Sequence, residues 1–263
     1  MSTPKAYDDS VRRRDNIFRE SKKTNFIGNA TFIGLRLADP FLQYSILARN
    51  YGSTLISKLG GSALPAGPAL VTNTFYDRLG LSPYRSILFA MSLSSMLKQN
   101  TSLLTTMETE TTPLYGFTVG VGNAIGNSLN SLLFICAQTS ASTNGEYYPQ
   151  TPLIVGTTLF SVGLFLEWYS EVQRAAFKRN AANRGKLFTR GLFGYARHIN
   201  YSGYMLWRTG YALAAGGWLW GAVNAGLATY AFTQQGIPVL QCYLQDRVSL
   251  PVWHDVLLML LGR

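Results

Sequence analysis

The block from Met205 to Phe232 limits the possible folds more than any other stretch: 28 mainly apolar residues with "AAGGW" near the middle. As one straight helix it would run about 42 Å at ~1.5 Å per residue, beyond the ~30 Å hydrocarbon thickness of a bilayer. The paired glycines point instead to a hairpin of two shorter helices. Further apolar blocks run Phe26–Ala48, Pro83–Leu97, Leu114–Ala137 and Leu153–Tyr169. With the hairpin counted as two, these predict an all-α fold: a polytopic membrane helical bundle of about six transmembrane helices ending in a C-terminal hairpin. Charged residues make up only 14% of the chain, against about 25% in a soluble domain.

Polar residues inside the blocks are informative. Arg36 and Asp39 stand at i, i+3 and can pair on one helix face; such ions are costly in lipid, so the span either tilts with the pair inside or lies at the interface. Asn123, Asn127 and Asn130 mark one helix face for helix contacts or a cavity. "GVGNAIG" (120–126) lacks the preceding strand a dinucleotide loop requires, so its small residues predict close helix packing.

The formal charge of +10 is carried by segments between apolar blocks, which suits cytoplasmic loops and excludes a nucleic-acid-binding module. Four spans separate the N-terminal tail from the acid-free basic stretch Arg174–Arg197. An even number puts both on one side, and the positive-inside rule makes that side cytosolic. The polar start "MSTPKAYDDSVRRRDN" predicts no cleavable signal peptide. Cys136 and Cys242 are far apart with no histidine near either, which excludes a zinc site or disulfide framework. The expected organisation is a polar cytosolic tail (1–24), N-terminal transmembrane helices (25–150), a C-terminal catalytic region (151–247) and a short tail (248–263).

The chemistry concentrates in two segments. "EWYSEVQRAAFKR" (167–179) places Glu167, Glu171 and Arg174 at helical spacing, as either an interfacial anchor or part of a site. "TRGLFGYARHINYSGY" (189–204) crowds Arg190, Arg197, His198, Asn200, Tyr201 and Tyr204 at the mouth of the hairpin. Arg190 and Arg197 offer planar donors for phosphate or carboxylate. Gly203 permits close approach of a ligand or a neighbouring helix.

"GLFGYARHINYSGYMLW" resembles the C-terminal signature of the steroid 5-alpha-reductase-like superfamily. That group includes sterol reductases and DUF1295 proteins, with a pattern near R-[HK]-x-N-Y-x-[GA]-[DE]. It is also similar to the R-H-P-x-Y-x-G of the isoprenylcysteine carboxyl methyltransferases. "EWYSEVQRAAFK" and "GIPVLQCYLQDR" resemble the flanking family segments, so the likeness covers about residues 155–247. It implies an endoplasmic-reticulum membrane enzyme that holds NADPH and reduces a carbon–carbon double bond in a sterol-like or other lipid substrate. Carried over, Gln173, Arg174, Arg190, Arg197, Asn200 and Tyr201 would bind the cofactor, and Tyr201, Tyr204 or His198 would supply a proton.

Two departures from the pattern matter. Tyr204 stands where the reductases commonly place an acid, and aromatic residues occur there in the methyltransferase branch. After "LQDR" the chain reads "VSLPVWHDVLLMLLGR" in place of the family's Y-G-x-x-W-x-x-Y closing segment. The alternative expectation is an S-adenosylmethionine-dependent methyltransferase, or a family member without catalysis.

Overall fold

The computed structural model describes residues 24–247 except 108, 184 and 185. The expectations for residues 1–23 and 248–263 lie outside the described residues. Among the described residues the fold is all-helical, with a single isolated bridge between Ala63 and Cys136 and no strand.

Seven α-helices follow in order: α1 Phe26–Arg49, α2 Ser53–Lys58, α3 Pro83–Thr105, α4 Pro113–Ile135, α5 Thr151–Arg179, α6 Ile199–Ala231 and α7 Ile237–Arg247. Local chemistry sets their starts. The Asn25, Ser82 and Thr112 side chains accept from the backbone N–H groups of Gly28, Arg85 and Tyr115. Pro83 and Pro113 open their helices where no intrahelical donor is needed. α3 outruns the predicted Pro83–Leu97 because the polar residues up to Thr105 continue its helix.

The 205–232 block is a hairpin. Gly216 and Gly217 break α6, and Gly217 takes φ 73°, ψ −168°, a region essentially closed to residues with a side chain. The reversal is plain from Phe232, whose ring stacks on Tyr201 at 4.7 Å; a straight helix would separate them by about 46 Å. The inner arm is 199–215 and the outer arm 218–231.

α5 makes its most extensive contacts with α6, and α1 with α4. Glycines set the first seam. A Cβ at Gly163 would come within 2.4 Å of Trp207 N, and one at Gly203 within 2.5 Å of Glu167 N. Gly203 therefore serves helix approach. The α1–α4 seam works similarly, with a Cβ at Gly116 falling 2.6 Å from the Gly28 carbonyl oxygen. In "GVGNAIG", a Cβ at Gly120 would fall 2.8 Å from Leu35, so Gly120 carries the packing expectation, whereas Gly122 faces open space. The apolar core runs through Leu47, Tyr84, Leu88, Phe134, Leu153, Phe160, Trp207 and Tyr211.

Two polar systems are sealed inside. Arg36 and Asp39 pair at 2.7 Å within the bundle, as the placement with the pair inside requires. At the end of the bundle where the hairpin turns, buried Arg85 grips Glu146 at 2.8 Å and Asn50 at 3.0 Å. That clip ties the α1–α2 turn and the loop before α5 to the start of α3.

Of these helices, Thr151–Arg179 is long and apolar enough to cross a membrane by length and composition. Large apolar side chains also face outward on the others, among them Phe41, Leu97, Phe117, Ile125, Leu219 and Leu227.

Candidate active site

The C-terminal end of α5, the turn at Gly191–Gly194 and the start of α6 meet at one end of the bundle. Gln173 on α5 accepts from Leu192 N at 3.0 Å and so pins the turn. Gly191 has φ 60°, and a Cβ there would lie 2.6 Å from the Gln173 carboxamide. Only glycine allows the turn to sit this close.

Beside that turn Glu171 forms the centre of a polar knot. Its Oε1 accepts from Asn200 Nδ2 at 2.8 Å, and Oε2 is ion-paired with Arg174. The Arg174 guanidinium also lies over the Phe193 ring at 5.9 Å. One helical turn deeper, Glu167 accepts from Trp207 Nε1 at 2.6 Å and pairs with Lys98 of α3. Both glutamates are thus structural and polar members of the site, one turn apart on α5.

Aromatic rings line the hairpin mouth. His198 stacks on Tyr201 at 5.5 Å, Tyr201 on Phe232, and Tyr204 meets Phe232 edge-on at 5.5 Å and Trp207 at 5.2 Å. Phe232 opens the π-helical turn Phe232–Gly236, which leads into α7. Such turns are frequent at functional sites.

His198 stands just before α6, is 6% exposed and has a buried Nε2 with no hydrogen-bond partner among the described residues. Burial, aided by the Arg197 charge, pushes its pKa down to about 4. The ring is therefore neutral near pH 7 and is a poor proton donor there.

Two more turns along α6, Arg208 continues the stripe of Asn200 and Tyr204. It donates to Tyr204 Oη at 3.3 Å, to Asn127 Oδ1 at 3.1 Å and to Asn123 Oδ1, and it lies 4.4 Å over the Trp207 ring.

With this geometry in hand the comparisons are specific. A family model described as "Protein of unknown function (DUF1295)" matches residues 105–246. The chain belongs to the DUF1295 family. A curated protein of Ustilaginoidea virens named "Probable O-methyltransferase ustE" is 37% identical over 243 residues, covering 91% of this chain and 86% of that protein. No solved structure matches the chain.

In this DUF1295 protein the predicted residues do not behave alike. Arg174 and Asn200 meet at Glu171 beside the turn that Gln173 pins, while Tyr201 stacks with His198 and Phe232 and Tyr204 meets Phe232 edge-on. Arg190 and Arg197 are exposed and form no hydrogen bond or ion pair with another described residue. Glu171 was legible as an acid at an apolar boundary, although its bond to Asn200 was not. Phe232 and Arg208 escaped sequence reasoning. A lone arginine four residues past Tyr204, inside an apolar block, was the available signal for Arg208.

Proposed function

We propose that this chain is a membrane methyltransferase that takes S-adenosylmethionine as methyl donor and methylates a lipid-soluble acceptor. One observation carries the choice of cofactor: the polar knot is centred on a carboxylate. Glu171 already neutralises Arg174, the arginine that the fold brings into the knot, and Glu167 adds a second acid one turn away. A pyrophosphate drawn to Arg174 would meet the Glu171 carboxylate, while Glu167 is already paired with Lys98. A sulfonium-bearing amino acid meets a suitable set: carboxylate for its donors, Arg174 for its own carboxylate, and aromatic faces for its cationic sulfur. The Glu171 side chain is 16% exposed, so it can be reached by a ligand. The orphaned Nε2 of buried His198 leaves one further polar atom for a bound group. The relative named an O-methyltransferase supports the same reading.

The bound cofactor would supply an electrophilic methyl group. The chain's own residues do the rest: Glu171, Arg174 and Asn200 hold and orient, while Tyr201, Tyr204 and Phe232 exclude water from the methyl's approach. The outward apolar faces support the polytopic arrangement, with the 174–197 segment on the cytosolic side where a soluble cofactor is available.

A second reading is favoured by Arg190 and Arg197. Exposed and flanking the Gly191 turn, they suit the phosphates of NADPH, as a reductase would require. Thermal unfolding of the purified full chain in neutral detergent separates the two. S-adenosylmethionine or S-adenosylhomocysteine at a hundredfold excess over Kd should raise Tm by several degrees, and NADPH should not. Stabilisation by NADPH alone overturns the proposal. Glu171→Gln should weaken S-adenosylmethionine about tenfold or more, since it removes a charge-assisted contact.

A further inference from the structure

The buried polar ladder between α1, α4 and α6 holds two arginines and one carboxylate. Arg36 pairs directly with Asp39 at 2.7 Å. Arg208 reaches the same Asp39 only through Asn127, whose Nδ2 donates to Asp39 Oδ2 at 2.6 Å while its Oδ1 accepts from Arg208. Among the described residues no carboxylate pairs with Arg208. Neutral amide oxygens, a phenol and the Trp207 face satisfy its geometry but supply no counter-charge, a costly arrangement for a half-buried cation.

We propose that Arg208 binds the anionic oxygen of an amphipathic substrate, a carboxylic acid or acidic phenol whose apolar part lies in the bundle. Taking that acid as the methyl acceptor rests on the methyltransferase reading. The location suits it: Asn200, Tyr204 and Arg208 lie at i, i+4, i+8 on one face, which puts Arg208 about 12 Å deeper than the Glu171–Asn200 knot. Arg208 as a residue is half-buried rather than sealed. The Tyr204 and Trp207 rings beside it give an apolar wall for the substrate's body. An oxygen held there is already ionised, so methylation needs no base. The new C–O bond forms as the C–S bond breaks with its electron pair going to sulfur. The product is a neutral ester or ether that Arg208 no longer attracts.

The test uses the full chain in neutral detergent with three probes: 4-octylbenzoate, the uncharged 4-octylbenzamide and dioctanoyl phosphatidate. The benzoate should raise Tm and the benzamide should not, and Arg208→Gln should weaken the benzoate at least about tenfold while leaving S-adenosylmethionine binding unchanged. Arg208→Lys, which keeps charge but loses the fork, should fall between. If Arg208→Gln does not fold, the benzoate–benzamide difference in the unaltered protein decides. Equal shifts from benzoate and benzamide, or a benzoate shift unaffected by Arg208→Gln, overturn the proposal. A shift from the phosphatidate alone makes Arg208 a lipid-headgroup anchor and also overturns it. Arg208-dependent benzoate binding without any S-adenosylmethionine binding sinks the methyltransferase reading and leaves the anion site standing.

Discussion

Removing water from the His198 ring favours its neutral form, and the adjacent Arg197 charge pushes the same way. The unfolded chain takes up a proton near pH 6.5, whereas the folded chain does so only near pH 4. Stability contributed by this group is complete above pH 6.5, falls as pH drops toward 4, and changes no further below that. His198→Phe keeps the stack on Tyr201 and should flatten this part of the Tm-against-pH curve, a difference on the order of 2–3 kcal/mol. A second prediction concerns charge: Arg197→Ala should leave S-adenosylmethionine affinity within about twofold, because an exposed arginine is largely screened. Asn200 and Tyr201 could be picked out in the chain because amide and phenol groups are rare at the head of an apolar block. The Glu171–Asn200 bond could not, because it joins residues 29 positions apart on two helices.

At the scale of elements, the α5–α6 seam is backbone against backbone. Gly203→Val would drive side-chain atoms into the Glu167 backbone, 2.5 Å from the Cβ position. Overpacking of this kind costs about 1–3 kcal/mol or more, and the midpoint of thermal unfolding should fall accordingly. Gly217→Ala should cost about 1–3 kcal/mol through strain alone, with cofactor affinity retained, because the turn lies at the opposite end of the hairpin from Glu171. The hairpin was readable because a 28-residue block is too long for one span and carries two glycines where a reversal is needed. The extent of α3 was not readable: the polar residues after Leu97 look like a loop, yet propensity and the packing of Asn100 and Leu103 carry the helix on to Thr105.

For the whole molecule, the buried Arg36–Asp39 pair joins α1 to α4 and, through Asn127, to α6. Asp39→Ala leaves a buried guanidinium unpaired and should cost about 3–5 kcal/mol, with Arg36→Leu/Asp39→Leu recovering much of it; denaturant unfolding in micelles measures both. The sequence showed that these two residues could pair but not that a third helix would share them. A cysteine placed at Arg190 should react with a membrane-impermeant maleimide added from the cytosolic face and stay unlabelled from the other, which checks the orientation. The glycine seam has a mechanical outcome for the whole assembly. Its bare glycine positions bring the two backbones together, and Phe160 locks against Trp207 and Tyr211 between them, so α5 and the inner arm hold each other in register.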